Sequence, residues 1–132
     1  MKKILSLILL LGALGSVQAS SQFPGIPMIL KSKYGEANFS PQKKQLIVTY
    51  KNVRSVAPDE NGNFAITTGE YYGDKILTAG TLPEKTIMPQ YNRGARTFTI
   101  TYENVTAADD DIEGNIDVRF TDGKKVKVGF LT

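Results

Sequence analysis

One short passage of this chain is written twice. Residues 49–63 read TYKNVRSVAPDENGN and residues 101–115 read TYENVTAADDDIEGN, a gapless match at a separation of 52 positions. Seven of the fifteen positions are identical: Thr49/Thr101, Tyr50/Tyr102, Asn52/Asn104, Val53/Val105, Asp59/Asp111, Gly62/Gly114 and Asn63/Asn115. Unrelated segments share about one in fifteen on ordinary residue frequencies. The flanking pattern persists where the letters change. Leu46, Val48 and Tyr50 alternate as one face of a strand, and Phe98, Ile100 and Tyr102 repeat that face at the same offset.

Each copy reads as a strand (45–53 and 96–105), an acidic Gly-Asn loop, a second strand (63–72 and 115–121), a tight turn at Gly73 or Gly123, and a third strand (74–78 and 125–131). YGDKI at 72–76 aligns with DGKKV at 122–126 if the second copy has lost two residues. Residues 28–32 and 36–39 read as earlier strands. Residues 79–95, with Gly80, Pro83, Pro89 and Gly94, read as a linker with one short strand near 86–88. No segment has helical periodicity. The expectation is an all-β domain, a small antiparallel β-sandwich or barrel of about 7–8 strands, built from two similar units at about 44–78 and 96–131. Neither unit has enough residues to bury its own inner face, so the two are expected to share one core.

The N-terminus constrains location. Lys2 and Lys3 precede an apolar run from Ile4 to Leu14, followed by Val17-Gln18-Ala19 with small residues flanking a cut, the pattern of a cleaved signal peptide over residues 1–19. The run is short for a bilayer crossing, and no cysteine near the cut could carry a lipid. The expected product is residues 20–132, a single periplasmic or secreted domain that does not span the membrane. A transmembrane barrel is disfavoured by Thr99, Thr101, Glu103, Asp117, Arg119, Lys125 and Lys127 opposite the apolar face.

Cleavage leaves 14 basic and 13 acidic residues, so the basic character of the whole chain owes much to the leader and gives no argument for nucleic acid. Charge is nonetheless uneven: residues 31–54 carry six bases and one acid, and residues 103–117 carry six acids and no base.

The chain has no His, Cys or Trp. Imidazole-activated nucleophiles, thiolate chemistry, imidazole ligands and disulfides are therefore outside its repertoire. Carboxylate chemistry or a Ser-Lys pair remains; no motif singles out Ser32, Ser40 or Ser55 for the latter, and a pair of acids could in principle hydrolyse a glycoside. The acids, however, fall in loops with nothing evident to raise their proton affinity.

Those loops are also candidate calcium ligands: Asp109, Asp110, Asp111 and Glu113 in the second copy, and Asp59, Asn61 and Asn63 in the first. The spacing departs from an EF-hand, since Gly62 follows Asp59 at the fourth position instead of the sixth. Asp and Asn before Gly are equally ordinary turn residues. Tyr50 and Tyr102 are expected on the core face, with Asn52 and Asn104 closing the following loops. Alternation would expose at least one ring of Tyr71-Tyr72, and an exposed Tyr near Phe39 or Tyr91 is an aromatic candidate for a partner contact.

The functional expectation is an exported, non-enzymatic binding protein that recognises a protein partner in the cell envelope or outside the cell, through loops or a sheet edge. A calcium-stabilised surface or matrix module is the alternative, and a carboxylate hydrolase a third.

Overall fold

The computed structural model describes residues 27–70 and 73–130. The leader, Tyr71 and Tyr72 lie outside the described residues. Eleven strands run β1 (Met28–Ser32), β2 (Gly35–Ser40), β3 (Gln45–Tyr50), β4 (Val53–Pro58), β5 (Phe64–Glu70), β6 (Gly73–Ala79), β7 (Ile87–Asn92), β8 (Thr97–Glu103), β9 (Val105–Asp110), β10 (Asn115–Phe120) and β11 (Lys125–Gly129). They form a sandwich of two antiparallel sheets, a five-stranded sheet A in the order β1-β2-β3-β8-β7 and a six-stranded sheet B in the order β4-β5-β6-β11-β10-β9. All-β architecture is as expected, but the described residues form eleven strands in place of the expected seven or eight.

The difference arises at two corners. Asn52 and Asn104 adopt left-handed backbone, with φ of 57° and 59°, a conformation Asn tolerates better than most residues. One such residue redirects the chain from sheet A into sheet B, so the acidic segment after it opens as a strand, β4 or β9, before it becomes a loop. Residues 53–58 and 105–110 hide this in sequence because they border one sheet only and carry much polarity. Likewise, residues 87–92 in the supposed linker form the full strand β7.

The core lies between the sheets. Leu46, Val48, Tyr50, Phe98, Ile100 and Tyr102 point inward from sheet A, and Ile66, Leu77, Ile116, Val118, Val126 and Val128 from sheet B. Alternation of β-branched and aromatic residues on β3 and β8 produces this directly, since every second side chain shares a face. At the centre of sheet A, Val48 pairs with Ile100, flanked by Leu46 with Tyr102 and Tyr50 with Phe98.

The same local geometry recurs at positions 52 residues apart. Lys44 and Arg96 have φ of 52° and 58°. Val53 N donates to Arg96 O and Val105 N to Lys44 O, each at 2.8 Å. Gly69 N donates to Asn52 O at 2.8 Å and Thr121 N to Asn104 O at 2.9 Å. A bulge leaves Arg54 as the extra residue between Val53↔Thr68 and Ser55↔Thr67, and another leaves Thr106 between Val105↔Phe120 and Ala107↔Arg119. Beyond the β5–β6 and β10–β11 turns the offset is 49: Ala79 lies opposite Val128 at the join of β6 and β11. Between matched positions the second hairpin is therefore three residues shorter than the first, not two.

Strand β11 lies between β6 and β10, inside sheet B. The sheet edges are β1 and β7 in sheet A and β4 and β9 in sheet B. β1 extends sheet A beyond β2, packing Met28 and Leu30 against the core. On the other side β7 is itself the edge among the described residues.

Candidate functional site

The acidic loops are closed by their own carboxylates. Asp59 Oδ1 accepts from the amides of Asn61 at 2.8 Å and Asn63 at 3.0 Å. Asp111 Oδ1 accepts from those of Glu113 at 2.8 Å and Asn115 at 2.9 Å. Gly62 and Gly114, both at φ 85°, complete the two turns. Asn63 also binds outward, its Oδ1 accepting from Thr81 N at 3.0 Å.

The remaining candidates are dispersed. Asp109 and Asp110 belong to β9, where Asp109 pairs across with Asp117. Burial, then the charges of Asp110 and Asp117, push the Asp109 carboxyl above its ordinary range. Asp111 turns instead to a cation: Lys127 Nζ bridges Asp111 Oδ2 at 3.0 Å and Asp117 Oδ1 at 2.9 Å. The amide of Asn115 and then this lysine hold the Asp111 carboxyl down to about 2. Ile112, at the tip between Asp111 and Glu113, is fully exposed. Among the described residues no group of three or more His, Cys, Asp or Glu is arranged to hold a metal ion.

The matched tyrosines sit in the core. Tyr50 donates its hydroxyl to Gly129 O at 2.7 Å, and Tyr102 donates to Gly80 O at 2.9 Å, each crossing from sheet A to the middle of sheet B. Burial raises both phenols well above their ordinary value. The glycines permit the approach at this join: a Cβ on Gly80 would stand 2.7 Å from Lys127 O. Asn52 and Asn104 serve the corners through left-handed backbone and main-chain carbonyls.

A different site opens where the edges β4 and β7 face each other. A cleft of about 530 Å³ is lined by Val53, Arg54, Ser55 and Val56 from β4, Tyr91 from β7, and Arg93 and Arg96 from the β7–β8 turn. Among the described residues its lining carries three guanidiniums and no carboxylate. Local chemistry sets the arginines in place. The Arg54 bulge turns that side chain out, where it meets Asp74 at 2.8 Å. Asn92 Oδ1 caps the β7–β8 turn by accepting from Ala95 N at 2.9 Å. The Arg93 guanidinium lies 5.9 Å from the centre of the Tyr91 ring, within cation–π range. Gly69 leaves room for two of these arginines: a Cβ there would meet Arg54 Cδ at 2.8 Å and an Arg96 guanidinium nitrogen at 3.4 Å.

The opposite side of the sandwich shows how particular this is. At the 52-residue offset, Arg54 corresponds to Thr106, Arg93 to Pro41, Arg96 to Lys44, Tyr91 to Phe39 and Gly69 to Thr121. Among the described residues, similar backbone therefore carries three arginines at the matched positions on one side and Thr106, Pro41 and Lys44 on the other. Sequence reading missed the cleft because Arg93 falls in the supposed linker and Arg96 at the first position of an expected strand. The available signal was the repeat itself, followed upstream to compare RGAR at 93–96 with PQKK at 41–44.

No known protein-family model, no curated protein and no solved structure matches this chain.

Proposed function

We propose that this chain is an exported, non-enzymatic binding protein that recognises a protein partner through the side of the sandwich where β4 and β7 meet. The carrying observation is the arginine-lined cleft between those edges, with Tyr91 on its wall. Arginine and tyrosine suit protein recognition, since both combine a large contact surface with directed polar groups at modest entropic cost. A sheet edge beside them adds main-chain donors and acceptors.

The scaffold in this reading is a duplicated half arranged about a pseudo-two-fold axis through the Val48–Ile100 pair. The matched corners, bulges and cross-sheet tyrosines support it. Duplication provides a shared core, and divergence at Arg54, Arg93, Arg96 and Gly69 provides one specialised side. The leader places the protein in the periplasm or outside the cell. No nucleic-acid role is proposed, since the net charge of the mature chain is close to neutral.

The test is retention from an envelope extract at physiological salt, comparing the wild-type protein with an Arg54→Thr/Arg93→Ser double variant. Thr is the residue at the matched position 106, so that change suits the same bulge. The wild type is expected to retain a protein that the variant releases. Equal retention by both, or none by either, would count against the proposal.

A further inference from the structure

Resting on that reading, we infer that the partner's docking element is an extended, acid-bearing polypeptide segment seated on β7 as β1 is seated on β2. β2 and β7 are matched strands, Gly35–Ser40 and Ile87–Asn92, and both pair antiparallel with the central strands β3 and β8. Beyond β2 the chain supplies its own neighbour, β1, in the register Met28↔Phe39, Leu30↔Ala37 and Ser32↔Gly35. Beyond β7 sheet A has no further strand among the described residues.

Transferring β1's register by 52 residues sets the geometry of the docked segment. Its first residue would lie opposite Tyr91, its third opposite Pro89 and its fifth opposite Ile87. The first and third of these take the places of Met28 and Leu30, both half-buried against the core, so an alternating apolar pattern is required. The N-terminal end of the segment comes to Tyr91 and the β7–β8 turn. That is where Arg93 and Arg96 converge with Arg54 across the cleft. Carboxylates at or just before the first docked residue therefore complete the fit, by charge-assisted hydrogen bonds that arginine forms well with carboxylates.

Charge excludes β1 of a second copy as the favoured occupant. Residues 27–34, PMILKSKY, carry no acid, and in this register Lys31 and Lys33 fall towards the Ile87 end, so the segment would bring no carboxylate to the arginines. Pro89 adds selectivity. It has no amide hydrogen, so it removes one donor from mid-strand and discourages indiscriminate pairing. The arginines then supply discrimination that main-chain bonds alone would not.

The experiment titrates the purified protein with a fluorescent peptide of alternating valine and threonine carrying two glutamates at its N-terminal end. Controls are the same peptide with lysines for glutamates, a hexaglutamate, and inorganic phosphate. Binding of the first peptide is expected, with amide-exchange protection gained at residues 87–92. Binding should weaken about tenfold in Arg54→Thr/Arg93→Ser, the scale of two partly exposed charge pairs lost together. Equal binding of hexaglutamate or phosphate, binding without protection at β7, or no binding would overturn the inference. The broader proposal is read separately, from retention of an envelope protein: a partner that the wild type retains and the double variant releases, but that leaves β7 unprotected, sinks the strand while leaving that proposal standing.

Discussion

Tyr50 reaches across the sandwich to donate its hydroxyl to the carbonyl oxygen of Gly129, 2.7 Å away. This bond ties the centre of sheet A to β11, at a point where β6 and β11 meet over a short register around Ala79 and Val128. Tyr102 repeats the arrangement with Gly80. Removing either hydroxyl leaves a buried carbonyl without its donor. Tyr50→Phe and Tyr102→Phe are each expected to cost about 1–3 kcal/mol, seen as a lower urea midpoint with an unchanged slope.

The same phenols impose an alkaline limit. Tyrosine in the unfolded chain ionises near pH 10, whereas burial keeps Tyr50 and Tyr102 protonated to higher pH in the folded protein. Above pH 10 the unfolded state therefore binds fewer protons than the folded state, and stability falls as pH rises. It should be fully present below about pH 10. Urea midpoints at pH 8 and pH 11 check this, and the Tyr50→Phe/Tyr102→Phe double variant is expected to lose less between them.

Acid should act through Asp111. Its carboxyl is held down to about 2, first by the Asn115 amide and then by Lys127, against about 3.9 in an unfolded chain. A depressed acid contributes stability above its unfolded value and loses it as pH falls towards the folded one, here between about pH 4 and pH 2. Unfolding midpoints should fall across that window more steeply in the wild type than in Asp111→Asn.

Calcium gives the acidic loops a direct trial. Asp59 and Asp111 already receive two backbone amides each, and Lys127 occupies the second oxygen of Asp111. Thermal unfolding in excess calcium and in chelator is expected to coincide. A bound ion at about a hundred times its dissociation constant would instead add roughly 2.7 kcal/mol, several degrees in a domain of this size.

Gly69 offers a test of the cleft that leaves every charge in place. A Cβ there would press on the Arg54 stem at 2.8 Å and approach Arg96 at 3.4 Å. Gly69→Ala is expected to displace the Arg54 side chain and weaken partner binding, while the urea midpoint changes little because Arg54 is largely exposed. Binding affinity measured beside unfolding separates the two effects.

How much of this could be read in advance follows from the range of each interaction. β3 and β8 were legible because alternation such as Leu46, Val48, Tyr50 is a local property of a strand with one buried face. β4 and β9 were not, since a single left-handed residue at Asn52 or Asn104 made them partners in the other sheet, and no local periodicity records a change of sheet. The acidic loops were recognisable as turns. That Asp59 and Asp111 close them through paired amides follows from loop geometry rather than composition. The arginine cleft was least legible of all. Arg54 and Arg96 lie far apart in sequence and meet only because β4 crosses to sheet B beside the β7–β8 turn.

The most direct test of the account is amide hydrogen exchange on the protein alone and with its captured envelope partner. The account predicts new protection at residues 53–56 and 87–93, the two walls of the cleft, with the acidic loops at 59–63 and 109–115 unchanged. Protection confined to those loops, with the cleft unchanged, would contradict it.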